Sequence, residues 1–183
     1  MKAIITSFLF ILLILIQPAC SLNTQEEEQQ QKRTEAGDSS QLKTIRGRVT
    51  GVTDGDTLTI LDEANTEHRV RLKGIDAPES KQDFGQAAKK NLSLLVFNKR
   101  VEVIYMKLDR YGRVLGIVRT GGEDINLQQI ALGFAWHYKE YESEQTEDER
   151  RAYGAAEERA RKERRGLWQQ PNPVKPSTFR RSK

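Results

Sequence analysis

Between positions 44 and 119 the chain sets out five short runs in which apolar and polar residues alternate, separated by turn-forming residues. Residues 44–52 (TIRGRVTGV), 57–61 (TLTIL) and 67–75 (EHRVRLKGI) are rich in β-branched side chains and read as three consecutive strands. The period then changes. In 85–98 (GQAAKKNLSLLVFN) the residues Ala88, Leu92, Leu95 and Val96 share one stripe at helical spacing, with Asn98 as a stop. Strand signals resume at 100–106 (RVEVIYM) and 113–119 (RVLGIVR). A second helix is expected at 125–132, capped by Asp124 and ended by Gly133. A third is expected at 147–164, where Thr146 and Glu149 form a capping box and Gly166 terminates. Five strands with a helix after the third predict an α+β domain: a five-stranded OB-type Greek-key barrel carrying about three helices. A β-grasp or other small α+β domain is the alternative, and fold alone does not settle function.

The two ends of the chain have a different character. Residues 3–16 are apolar but for Thr6 and Ser7 and follow Lys2, which is short for a spanning helix and suits a signal peptide over 1–22. The single cysteine, Cys20, ends that segment, so the domain beyond it has no intramolecular disulfide. Ala19-Cys20 is similar to a lipoprotein cleavage site, whereas Gln17 and Pro18 depart from one, so lipid anchoring at Cys20 and free secretion both stay open. Residues 23–43 (NTQEEEQQQKRTEAGDSSQLK) lack the apolar surface needed to offset the entropy of ordering and are expected to be a disordered linker. The domain is expected over 44–169, with a Pro-rich basic tail over 170–183 whose prolines at 171, 173 and 176 suit extended packing along the barrel or disorder. From Thr44 onward the chain carries 26 Lys and Arg against 21 Asp and Glu, a modest positive excess that suits a polyanionic partner.

Three segments hold the residues that could do chemistry. DGDT (54–57) and the turn IDAPE (75–79) each bring a carboxylate, Asp56 and Asp76, to the end of a strand. Two like charges drawn together need a cation, and carboxylates with a backbone carbonyl and waters suit a hard ion such as Ca²⁺ or Mg²⁺. Arg71, alternating with Val70 and Leu72, faces away from those apolar neighbours. Arg113 follows the DRYG turn at 109–112. A guanidinium grips phosphate oxygens in a bidentate fashion and keeps its charge, so two of them beside a cation could clamp a phosphodiester. Glu79, just after Pro78, could accept a proton from an attacking water. Each of these residues taken alone also reads as an ordinary hairpin turn, strand arginine or loop glutamate. The two histidines, His68 and His137, and the aromatic Trp136 read as structural.

Together, DGDT, R-L-x-G-I-D-A-P-E, D-R-Y-G-R and a final G-L-W resemble the thermonuclease family, the staphylococcal-nuclease-like phosphodiesterases, over residues 44 to 168. The resemblance implies an OB-type barrel and Ca²⁺-dependent hydrolysis of DNA and RNA that leaves 3′-phosphate ends. It implies Asp56, Asp76 and the backbone carbonyl of Ala77 as calcium ligands, threonine standing at the last position in the best-known member. Arg71 and Arg113 become catalytic arginines and Glu79 the base, with Arg110, Tyr111 and Tyr138 near the bound nucleotide. An exported monomer acting on nucleic acid is expected, with membrane contact only through a lipid at Cys20. Residues 80–84 are shorter than that member's lysine-rich loop. Because barrels of this kind also serve as non-catalytic nucleic-acid- or protein-binding modules, the competing reading is a binding domain of the cell envelope. Such modules typically lack the acidic and arginine set that is complete here.

Overall fold

The computed structural model describes residues 42–182. The signal segment expected at 1–22, Cys20 and all but the last two residues of the expected linker lie outside the described residues. No helix among the described residues is long and apolar enough to cross a membrane.

Strands β1 (Lys43–Val52), β2 (Thr57–Asp62) and β3 (Glu67–Leu72) form an antiparallel meander. Helix α1 (Gly85–Val96) follows the short strand β4 (Ile75–Asp76) and leads into β5 (Arg100–Leu108) and β6 (Val114–Thr120). β5 pairs with β1 and β6, and β6 runs parallel to β3 from Val70↔Val114 to Leu72↔Gly116. That last pairing closes the sheet into a five-stranded barrel, as the alternating pattern predicts. Alternation also decides what lies inside. Val49, Leu58, Ile60, Val70, Leu72, Val103 and Val118 point into the core and are fully or almost fully buried. Each contributes on the order of 1.5–3 kcal/mol of transfer free energy.

Helices pack against the barrel strands. On α1 the buried stripe is Gly85, Ala88, Leu92 and Val96. The helix stops at Val96, two residues before the expected end, because Phe97 turns away and Asn98 takes a left-handed conformation at φ 61°. After the two-residue strand β7 (Glu123–Asp124), helix α2 (Ile125–Ala131) starts where Asp124 accepts from the Leu127 amide at 2.9 Å. Helix α3 (Glu147–Lys162) carries the expected Thr146–Glu149 capping box. Trp136 of strand β8 (Trp136–His137) packs edge-to-face on Trp168, and the Arg161 guanidinium lies over both rings. His137 bonds Gln145 at 2.7 Å and His68 bonds Asp62 at 2.7 Å, so both histidines are structural.

Two departures from the sequence expectation shape the mouth of the barrel. The strand expected over 67–75 is broken: β3 ends at Leu72, and β4 leaves the barrel to pair antiparallel with β8. The break sits at Gly74, at φ +75°, where a Cβ would lie 2.5 Å from the Gln145 side chain. Asp76 is thereby carried off the barrel wall and over the end of β3. The basic tail, expected to run extended or unstructured, ends in a short helix, α4 (Pro176–Arg181), which has Pro176 in its first turn.

Candidate active site

Strand β2 begins beside the DGD turn, whose geometry is fixed from within. Asp54 Oδ1 accepts from the Asp56 amide at 3.0 Å, and the Asp56 carbonyl accepts from the Leu72 amide at 2.8 Å. The Asp56 carboxylate is thus pinned at the mouth of the barrel between β2 and β3. Its Oδ2 accepts from the Ala77 amide at 2.7 Å, and its Oδ1 accepts from Thr57 at 3.2 Å and pairs with Arg71 Nη1. Arg71 Nη2 donates to Asp76 Oδ1 at 3.1 Å and to the Ile75 carbonyl at 3.2 Å. One guanidinium therefore joins both aspartates, each only 2% exposed. Burial lowers the Arg71 pKa from its ordinary value, while Asp76 and Asp54 work to raise it. A guanidinium starts so high that it stays charged at neutral pH.

Arg113 reaches the same opening from the turn before β6, two residues ahead of Leu115, which pairs with Arg71. Its Nε and Nη2 both lie 2.7 Å from Asp109 Oδ2, and Asp109 Oδ1 accepts from the Arg113 and Tyr111 amides. The DRYGR turn is thus a clasp that aims its own arginine. Burial works to raise the Asp109 pKa, but the bonds from Arg113 and Tyr111 prevail and hold it below the usual carboxylate value. Arg71 and Arg113 line the same opening, and the charge of Arg113 adds to the lowering of the Arg71 pKa. Tyr111 is exposed, with Arg110 and Arg113 stacked on its ring at 4.8 and 5.4 Å. Tyr138 sits across the opening, its pKa raised by burial and by the neighbouring Asp76 carboxylate.

These residues line one cavity of about 520 Å³. Asp56, Arg71, Ala77, Glu79, Arg110, Tyr111, Arg113 and Tyr138 are all in its wall, and Asp76 joins them through Arg71. Every site residue singled out in the sequence is therefore brought to one place. Reasoning from sequence missed three others. Asp109 was visible in the motif and at helix-like spacing from Arg113, but its role needs the turn geometry. Gln129, on α2, donates to the Gly55 carbonyl within the DGD turn at 2.7 Å. Arg180, on α4, donates to both Asp76 oxygens at 3.1 and 3.0 Å and to Glu79 Oε1 at 2.8 Å. Nothing in the run FRRSK marks which of its arginines would dock.

Residues 69–170 match the model of the staphylococcal nuclease homologue family. Over 134 residues the chain is 43% identical to an uncharacterized endonuclease of Haemophilus influenzae, covering 73% of this chain and 72% of that protein. The chain belongs to the staphylococcal nuclease homologue family. Membership makes it a nuclease hydrolase. Other proteins similar to it include a micrococcal nuclease of Shigella flexneri, 40% identical over 75% of this chain and 82% of that protein. An uncharacterized endonuclease of Escherichia coli is 38% identical over 76% of this chain and 87% of its own length.

Proposed function

We propose that the chain is an exported, calcium-dependent nuclease that hydrolyses phosphodiester bonds of DNA and RNA by attack of water and leaves 3′-phosphate ends. The observation that supports it most is the meeting of Asp56, Asp76 and Arg71 at a cavity that Arg113 and Tyr111 also line. The 520 Å³ opening has room for a phosphodiester and part of a nucleotide.

The donor set suits a hard cation. Asp56 and Asp76 offer only oxygen, both carboxylates are buried, and they converge on a shared positive charge. Among the described residues no group of three or more His, Cys, Asp and Glu is poised around one point, so the backbone carbonyl of Ala77 and waters would complete a shell. Held there, calcium would supply charge neutralisation for the two aspartates and polarisation of a phosphoryl oxygen.

The protein's own groups account for the remaining steps. Arg71 and Arg113, approaching from β3 and from the turn before β6, grip the non-bridging phosphate oxygens and stabilise the charge that accumulates as phosphorus becomes five-coordinate. Glu79 accepts a proton from water as the water oxygen bonds to phosphorus. The bond from phosphorus to the 5′ oxygen breaks, that oxygen takes up a proton, and the phosphate stays on the 3′ side. Tyr111 offers an exposed aromatic face to a base, and Arg110 and Tyr138 flank the same opening.

Export rests on the apolar run of residues 3–16, and mass measurement of the mature N-terminus distinguishes a lipidated Cys20 from a free one. The catalytic reading is tested by incubating the protein with single-stranded DNA and with RNA, in calcium or in EGTA, and analysing the fragment ends. Calcium-dependent fragments with 3′-phosphates are expected. Cleavage that persists in EGTA, or 5′-phosphate products, would overturn the reading.

A further inference from the structure

The acidic wall of the cavity is held by two arginines, and only one of them, Arg71, has a part in the hydrolysis. Arg180 approaches from the last helix of the chain, 104 residues from Asp76, and forks across both oxygens of that carboxylate. The same guanidinium reaches Glu79 Oε1. Burial works against the Arg180 charge, but the hydrogen bonds to Asp76 and Glu79 outweigh it and raise its pKa. With Arg71 on Oδ1 as well, each Asp76 oxygen already has a donor. Three donors fill three of the roughly four lone-pair sites of that carboxylate, and a divalent ion on the remaining Oδ2 site would lie within a few ångströms of the Arg180 guanidinium, whose like charge repels it.

The two differ in how freely they could leave. Arg71 is fixed in β3, its side chain is 15% exposed, and it also holds Asp56 and the Ile75 carbonyl. Arg180 is 41% exposed at the rim. Its helix is secured at the other end: Pro176 and Ser177 are buried beside Trp136 and His137, and the Val174 carbonyl accepts from Gln82 at 2.6 Å. The arginine can therefore swing out while the tail stays docked. Charge favours the exchange. Asp56, Asp76 and Glu79 face Arg71 and Arg180 with one negative charge left over, and a divalent ion in place of Arg180 makes the set neutral.

We propose that Arg180 is a built-in counter-ion which the divalent cation must displace, so that metal binding and seating of the C-terminal arginine exclude each other. This rests on the reading of Asp56 and Asp76 as metal ligands. In the resting protein Arg180 compensates the acidic wall and engages Glu79, the group needed to take a proton from water. Arrival of the ion moves Arg180 off Asp76 and releases Glu79 together with it. A coupling of this kind weakens apparent metal affinity by a factor set by the strength of the arginine fork that the ion displaces, typically about 5- to 150-fold.

Calcium affinity measured by isothermal titration calorimetry tests this on the full chain, Arg180→Gln and Arg180→Lys, after circular dichroism has established that each variant is folded. Arg180→Gln should bind calcium about tenfold more tightly or better. Arg180→Lys, which keeps the charge but loses the fork, should also bind more tightly than wild type. In wild type, saturating calcium should bring the Arg180 Nε–H NMR signal to that of a solvent-exposed guanidinium, and no change there counts against the proposal. Affinity unchanged or weakened in Arg180→Gln overturns the proposal. So does wild-type affinity in Arg180→Lys, which would reduce the effect to net charge. Should wild type and both variants fail to bind calcium, the metal reading itself falls and this proposal with it. Equal binding by all three defeats the proposal alone.

Discussion

Gln129 and Gly55, 74 residues apart, are joined by a buried hydrogen bond of 2.7 Å from the Gln129 side chain to the Gly55 carbonyl. The same amide nitrogen donates to the Ala88 carbonyl at 3.2 Å, and its oxygen accepts from Asn91. One side chain of α2 thus ties the turn that carries Asp56 to helix α1. Gly55 must be glycine for this approach, since a Cβ there would lie 2.6 Å from the methyl carbons of both Ala77 and Ala88.

Replacing Gln129 with Leu strands the Gly55 carbonyl and the Asn91 side-chain amide without their partner, while the Ala88 carbonyl keeps its helical bond from the Leu92 amide. At about 1–3 kcal/mol for a buried unsatisfied group, the variant should lose about 2–4 kcal/mol of stability. Urea denaturation measures it, and a loss under about 0.5 kcal/mol would show that the turn does not depend on this tie. Turnover should fall as well, because Asp56 loses its support.

The Asp109 clasp makes a prediction about positioning. In Arg113→Ala, cleavage should fall by about 10²–10³-fold, the scale for losing one donor to a transition-state oxygen. Asp109→Ala leaves Arg113 in place but unaimed, and should fall in the same direction by about 10-fold or more, chiefly in kcat. A variant at wild-type kcat would remove Asp109 from the positioning of Arg113.

Acid should expose the same clasp. The folded-state pKa of Asp109 is depressed, so its stabilising contribution is complete above the unfolded value of about 3.9 and is lost as pH falls through the lower folded value. The stability difference between wild type and Asp109→Asn, followed by denaturant titration from pH 6 downward, should shrink below about pH 4. A gap that widens toward low pH would contradict the sign.

Arg71 supports the fold as well as its proposed part in the chemistry. Arg71→Ala takes from Asp56 the guanidinium it is paired with, and breaking a buried pair costs about 3–5 kcal/mol. The melting temperature of Arg71→Ala should therefore drop sharply in EGTA and recover in part when calcium takes over the neutralisation. An equal drop with and without calcium would argue that no ion reaches the two aspartates.

Tyr111 is the opposite case. Two-thirds exposed, it can be changed to Ala with a stability effect within about 0.5 kcal/mol. If it stacks on a base, KM should rise by about 5-fold or more, since such stacking contributes about 1–3 kcal/mol. An unchanged KM for oligonucleotide substrates would confine Tyr111 to holding the guanidiniums beside it.

How much of the fold and the site was legible in the sequence depends on the range of the interactions. The five strands, the caps at Asp124 and Thr146 and the stop at Asn98 are written within a few residues of where they act, and they stand at or close to the expected positions. The three motifs could be assigned to one pocket because the family pattern fixes their company. What escaped depends on distant partners. Gly74 breaks a strand because Gln145 crowds it from far along the chain. Gln129 looks like one more polar residue on a short helix until Gly55 is beside it. Arg180 sits in a basic run whose docking is decided by Pro176 and Ser177 finding the surface near Trp136.

The parallel seam between β3 and β6 carries a last consequence. It sets Arg71 opposite Leu115, two residues beyond Arg113, so the ring is closed by the strand that carries Arg71 and the strand that Arg113 leads into. Parting this seam would separate Arg71 from Arg113, the pair on which the proposed cleavage depends. Nuclease activity is accordingly a gauge of whether the ring is whole, and loss of cleavage on heating should track seam opening rather than average melting.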